Sequence, residues 1–265
     1  MRPLPIDGPK TDAYRRKSAR RQVWPVAIGL AGVALVTTGC ESTQDKSAKI
    51  AAELGPVAQE KGLRISKQSQ DVSVVSTTVL SDANGAAVVV VLRNDSNRDL
   101  AEVPLLIDVL DAKGKSVYRN DVPGIEPALA SIPLIPAGGE VAWVHDQVLA
   151  TGKPASVKAK VGEGVEFSGQ RPAVSVSDPK LESDPYTGVA AGGVVVNESG
   201  EDLERLLLYA VAREGGKIVA AGRGAIEPLK DKPKPVPYNI YFIGDPKGAE
   251  ITVSEFPTLP GLGGR

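Results

Sequence analysis

The sequence contains one cysteine, one histidine and one methionine among 265 residues. A single cysteine excludes an internal disulfide framework and any cysteine-rich metal centre. A single histidine excludes a multi-histidine metal site. Aromatic residues make up only 4% of the chain, too few for sugar- or base-stacking platforms. No charge excess of either sign exists: 31 Lys+Arg stand against 32 Asp+Glu. A general nucleic-acid binder concentrates basic charge to neutralise phosphates, so that class is excluded. No apolar run reaches the ~20 residues of a membrane-spanning helix. What remains is ordinary for a globular protein: 42% hydrophobic and 24% charged residues.

The first 39 residues differ from the rest. Seven basic residues against two acidic ones leave this stretch at +5, and the remainder of the chain at −6. An apolar run follows from Val23 to Val36 and ends in Thr37-Thr38-Gly39-Cys40. A basic region, a short apolar core and a small-residue junction predict a secretory signal. Arg20-Arg21 before the apolar run is compatible with a general or a twin-arginine export route. The Val36-to-Cys40 junction resembles the lipobox of bacterial lipoproteins, with Thr37 departing from the usual Leu or Val. The resemblance implies that the Cys40 thiol receives a diacylglycerol, with palmitate-class chains, and that the signal is cut between Gly39 and Cys40. Two or more acyl chains hold a protein stably at a bilayer, whereas one holds it marginally. The expected location is the outer face of the cytoplasmic membrane. Residues 40–71, rich in Ser, Gln, Lys and Glu, are expected to form a lipid-anchored tether.

The rest of the chain repeats itself. Val72-Ser73-Val74 is echoed by Val174-Ser175-Val176, and Asn94-Asp95-Ser96 by Asn197-Glu198-Ser199. Gly114-Lys115-Ser116-Val117 is echoed by Gly216-Lys217-Ile218-Val219, and Ile125-Glu126-Pro127 by Ile226-Glu227-Pro228. The offsets are 102, 103, 102 and 101. That spacing is too long for a solenoid unit and predicts two domains of one fold, 72–165 and 172–258, followed by a flexible tail 259–265. It also predicts that residues 72–165 fold alone. β-Branched runs between Gly/Asn/Asp/Pro punctuation read as strands. In the first copy these are 86–92, 103–110, 140–148 and 156–161; in the second, 193–196, 206–213, 236–243 and 250–256. Asp82-Ala83-Asn84-Gly85, Asp111-to-Gly114 and Glu214-to-Lys217 read as tight turns. The predicted fold is all-β: two tandem antiparallel immunoglobulin-like β-sandwiches after an N-terminal signal helix and tether.

Ile107-Asp108-Val109-Leu110-Asp111, followed by Lys113-Gly114-Lys115, is similar to the namesake strand and turn of the FxLYD domains of bacterial surface lipoproteins. The Asn94-to-Leu100 loop and Val103-Pro104 also fit. The second copy keeps the alternation in Tyr209-Ala210-Val211-Ala212-Arg213 but loses the Asp. The resemblance covers about two thirds of the chain and implies a fold without catalytic residues.

Motifs of chemistry are sparse. Ser177-Asp178-Pro179-Lys180 matches an S-x-x-K pattern, but Pro179 disfavours the helix that pattern needs. His145 and Asp146 are neighbours on one predicted strand and point to opposite faces, so they form no dyad. Asp95-x-Asn97-x-Asp99 begins like a calcium loop, but Leu100 and Ile107 stand where Gly and Glu are required. The sequons at Asn94 and Asn197 read as turns. Tyr238, Ile240 and Phe242 alternate onto one, core-facing side and Tyr241 onto the other. Neither catalytic residue, metal ligand nor cofactor site is assigned. The expected function is a non-catalytic binding or scaffolding module of the cell envelope, attached to the membrane through Cys40 and facing an envelope protein or polymer. An envelope-polymer hydrolase using Asp/Glu chemistry, or a structural spacer, are the alternatives.

Overall fold

A computed structural model describes residues 62–184, 188–231 and 234–262. The expected signal at 1–39, the Gly39–Cys40 junction and the tether up to residue 61 lie outside the described residues.

Eight strands form the first half: β1 (Val72–Asp82), β2 (Gly85–Asn94), β3 (Asp99–Leu110), β4 (Ser116–Arg119), β5 (Ser131–Ile135), β6 (Glu140–His145), β7 (Ser156–Val161) and β8 (Val165–Phe167). Eight more form the second: β9 (Val174–Val176), β10 (Lys180–Asp184), β11 (Gly188–Asn197), β12 (Leu206–Glu214), β13 (Lys217–Ile226), β14 (Val236–Tyr241), β15 (Ile243–Gly244) and β16 (Glu250–Pro257). The only helical element among the described residues is one 3₁₀ turn at Pro127–Leu129. The protein is thus all-β, and every strand pairing is antiparallel.

Both halves pair their strands in the same order. The first has a sheet β1-β2-β6 and a second sheet in which β3 is central, flanked by β4 and β7. The second half has β9 and β10 on β11, then β14, and a sheet β15-β13-β12-β16. β11 thus corresponds to β2, β12 to β3, β14 to β6 and β16 to β7. In the first half β3 also carries β5 and β8 along its opening residues. It passes through a left-handed residue at Glu102 (φ 48°), between Asp99–Ala101, which pair with β8, and Leu105–Leu110, which pair with β7, while β5 pairs on both sides of it.

The predicted turns form as their chemistry dictates. Asp111 Oδ1 accepts from the backbone N–H of Lys113 and Lys115. Gly215 and Gly216 both adopt positive φ, 55° and 80°, as a two-residue hairpin between β12 and β13 demands. The repeated Asn-x-Ser motif is a duplicated buried staple. Asn94 and Asn197 are 0% and 3% exposed. Each Oδ1 accepts from the N–H and hydroxyl of the serine two residues on, at 3.0 and 2.7 Å in both copies. Each Nδ2 donates to two carbonyls: Arg98 and Ile135 in one copy, Glu201 and Leu229 in the other. Ser73 Oγ donates to Asp95, and Ser175 Oγ to Glu198, completing the copy. The sequons therefore hold turns, with both asparagines inside the fold.

The four sheets stack in layers. On β2, Val88, Val90 and Leu92 pair across to His145, Trp143 and Val141, and this face meets Ile107 and Val109 of the β3 sheet in one apolar core. The other face of β2 and β6 lies against β12, β13 and β15. β12 is buried on both sides. Leu207, Tyr209 and Val211 join the core of the first half, while Leu206, Leu208, Ala210 and Ala212 join Ala191, Tyr238, Ile240 and Phe242 in a second core. Burial on both faces accounts for the unbroken apolar run Leu206–Ala212, which lacks strand alternation. The described residues all belong to one compact unit. Tyr238, Ile240 and Phe242 are buried as their alternation predicts, and Tyr241 is 49% exposed.

β13 is absent from the strands read in the sequence, because Lys217–Ile226 holds two internal glycines. One of them has a steric purpose. A Cβ on Gly222 would lie 2.0 Å from the Tyr241 carbonyl oxygen, so only glycine lets β13 pass the end of β14.

Candidate functional site

A dense set of partly buried charge lies where the two halves meet. Arg223 sits on β13 opposite Tyr209, facing the first half, and its side chain is 7% exposed. Its guanidinium grips Glu126 with two parallel bonds of 2.9 Å, Nη1 to Oε1 and Nη2 to Oε2. Its backbone N–H donates to Asp146 Oδ2 at 3.2 Å, and Nε lies 3.4 Å from Asp146 Oδ1. Arg205 bonds Glu126 from the other side, and its Nε lies 2.5 Å from Glu227 Oε1. Glu126 precedes the 3₁₀ turn, and Asp146 follows β6 on the face opposite His145. Two carboxylates of one half thus hold two guanidinium groups of the other.

The environments of the two acids differ. Hydrogen bonds from Arg223 hold the Glu126 carboxyl below its usual range, against the opposing effect of burial. Burial pushes the Asp146 carboxyl up, with the charge of Arg223 working against it. Such a split is what acid–base chemistry uses. Here the same arginine occupies both carboxylates, and neither of the two cavities described below is lined by them. The geometry suits holding rather than turnover. The Tyr209 hydroxyl, buried beside this cluster, makes no hydrogen bond among the described residues.

His145 points away from that cluster, as strand alternation predicts. It is fully buried, edge-on to Tyr118 and Trp143 with ring centroids 5.3 and 5.6 Å apart. Its Nδ1 accepts from the Gln147 N–H at 3.2 Å, which leaves the proton of the neutral ring on Nε2, 2.8 Å from the Tyr118 hydroxyl. Burial first, and the positive charge of Arg223 second, push this imidazole down to about 4.

A pH dependence follows. Between pH 6.5 and about 4 the unfolded chain binds a proton at His145 that the folded chain refuses, so stability is complete above 6.5 and falls with pH. The full loss is about 3 kcal/mol. The raised acid Asp146 acts in the opposite sense, gaining stability as pH falls. Glu126, lowered from 4.5, loses its contribution only as pH drops through its folded value below that point. Urea midpoints at pH 7 and pH 4.5 should therefore fall steeply for the wild type and much less for His145→Gln. Equal losses in both proteins would assign the effect elsewhere.

Other residues marked in the sequence take structural places. Ser177-Asp178-Pro179-Lys180 is extended between β9 and β10, and Ser177 Oγ accepts from the Val194 N–H, so no helical turn joins Ser177 to Lys180. The carboxylates of Asp95 and Asp99 diverge: Asp95 takes the Ser73 hydroxyl, and Asp99 takes Arg171 Nε at 2.9 Å and the Ala137 N–H. Among the described residues no group of three His, Cys, Asp or Glu side chains could hold a metal ion. Glu126, Asp146, Arg205 and Arg223 carry no sequence motif. The one signal was the Ile-Glu-Pro echo, whose two glutamates, Glu126 and Glu227, both meet Arg205.

Two cavities lie near the end of the second half. A small apolar one of about 140 Å³ sits between Glu102, Leu207 and Phe256. A larger, open one of about 520 Å³ is lined by residues 170–173, 198–204 and 258–261. No protein-family model matches the chain, and neither does any curated protein.

Proposed function

We propose that the chain is a membrane-anchored extracytoplasmic lipoprotein whose two immunoglobulin-like β-sandwiches, of the FxLYD kind, form a non-catalytic binding or scaffolding module at the outer face of the cytoplasmic membrane. The sandwich reading rests on the corresponding pairings of β1-β2-β6 with β10-β11-β14 and of β4-β3-β7 with β13-β12-β16, and on β3, where Ile107 and Val109 are buried and alternate with Asp108. One observation carries the non-catalytic reading: the partly buried acids and arginines where the two halves meet bond one another. Groups so engaged make a rigid body, and a rigid two-part body on a tether is suited to presenting a surface. The lipobox-like Val36-to-Cys40 junction supplies the anchor.

The anchor is tested at Cys40. Cys40→Ala is expected to shift the protein from the detergent phase to the aqueous phase and to abolish metabolic lipid labelling. Persistent lipid labelling of the variant would refute the reading.

A further inference from the structure

Glycines apart, Glu102 alone among the described residues holds a positive φ. A left-handed backbone is costly for a residue with a Cβ, and only a short polar side chain such as Asn or Asp offsets part of that cost by bonding locally. The β3–β5 ladder also opens here. Leu100, Ala101 and Val103 pair with Ile135, Leu134 and Ile132, whereas Glu102 falls opposite Pro133, which has no N–H to give. Glycine would meet the demand of this backbone at less cost. What glutamate adds is a carboxylate, and an observed strain of this kind is a pointer to function.

Glu102 is half-buried and lines the smaller cavity, of about 140 Å³. The other walls include Pro133 of the first half and Leu207, Phe256, Leu259 and Leu262 of the second. The volume is close to the ~150 Å³ of an apolar cavity that takes up benzene, so it suits one side chain. Arg205 also lines it, but Glu126 and Glu227 engage that guanidinium. Arg223 is shared between Glu126 and Asp146. Two guanidinium groups thus meet three carboxylates, and Glu102 adds a fourth. Among the described residues no hydrogen bond or ion pair engages the Glu102 carboxylate. An apolar lining and an unmatched negative charge therefore stand side by side.

We propose that this cavity receives one lysine side chain of a partner protein, its stem packed on Leu207, Phe256 and Leu259 and its ammonium set against the Glu102 carboxylate. Lysine divides into an apolar stem and a compact charged head, as the cavity does. Arginine offers a shorter stem and a wide planar head. A single seated side chain of this kind is how interfaces concentrate their affinity. The inference rests on the binding-module reading for the existence of a partner, and it specifies one residue of that partner.

The probe is n-butylammonium, the lysine side chain alone, titrated into the full chain and followed through the methyl resonances of Leu207, Leu259 and Leu262. Saturable shifts are expected. n-Butanol keeps the stem without the charge, and methylammonium keeps the charge without the stem; each should bind about tenfold more weakly. Lysine blocked at both main-chain ends should bind as n-butylammonium does, and its side-chain-acetylated form should not. Glu102→Gln should weaken n-butylammonium by about tenfold. Glu102→Gly should leave it no better than n-butanol and yet raise the urea midpoint of the chain, because glycine adopts the left-handed backbone freely. Absence of saturable shifts, equal binding of n-butanol or undiminished binding in Glu102→Gln would overturn the proposal. A midpoint that fails to rise in Glu102→Gly would remove the strain that singles out this glutamate, and would overturn it too. If n-butylammonium binds and the blocked lysine does not, the occupant is a free amine and the partner-protein assignment falls. The titration does not involve Cys40, so a failed pocket and a failed anchor are read separately.

Discussion

Arg223→Ala is expected to lower folding stability by about 1–3 kcal/mol, the cost of leaving partly buried carboxylates without their hydrogen-bonding partner. The variant leaves Glu126 and Asp146 of the first half facing the second without the guanidinium that joins them. Arg205 still reaches Glu126, but it does not reach Asp146, whose carboxyl is already raised by burial. The measurement is a guanidinium chloride unfolding curve at pH 7. A companion variant separates stranded charge from lost packing. Arg223→Met together with Glu126→Met and Asp146→Leu removes all three charges and fills the same space. It should recover most of the stability, since apolar replacements of whole buried ion clusters are often neutral or better. A loss below about 1 kcal/mol in Arg223→Ala would mean that the cluster behaves as a solvated surface pair.

A fragment of residues 62–170 is expected to fail as an independent folding unit. The repeat in the sequence suggests two self-sufficient domains, but the packing of β2 and β6 argues otherwise. Ala87, Val89 and Val144 are fully buried, on the face that meets β12 and β13. Cutting the chain would bare that face as a contiguous apolar patch next to the carboxylates of Glu126 and Asp146. Exposed patches of that kind drive association. The fragment should bind a hydrophobic dye, self-associate with concentration and lack the sharp transition of the full chain. A monomeric fragment that unfolds cooperatively at the full-chain midpoint would show that the interface adds nothing to the stability of the first half.

Much of the fold is legible in residue patterns. Each of the eight strands read from β-branched runs corresponds to a strand. The turn at Asp111–Gly114 follows from an Asp that bonds forward to backbone N–H groups. The duplicated Asn-x-Ser was visible as a turn, although its role as a buried staple was not. Other strands escaped for definite reasons. β1 is rich in Ser and Thr and mostly exposed, so it carries little apolar signal. β13 is interrupted by glycines that exist for close approach to β14. β6 ends at His145, short of the run that continues to Val148, because Asp146 leaves the sheet edge to meet Arg223.

The charged cluster was illegible for a different reason. Glu126 and Arg223 lie 97 residues apart, and nothing in either local sequence distinguishes them from exposed charge. Position along the chain sets which residues alternate on a strand. It does not set which sheet faces which.

The scarcity of cysteine, histidine and aromatics, the duplicated markers and the turn chemistry determined an all-β chain built twice on one plan, because strand alternation and turn geometry are local properties. The tertiary structure decided that the two copies share a core, that four charges join them, and that β8 lies along the opening residues of β3. Those outcomes depend on long-range packing, where a face buried by its own half and a face buried by its neighbour look the same in sequence.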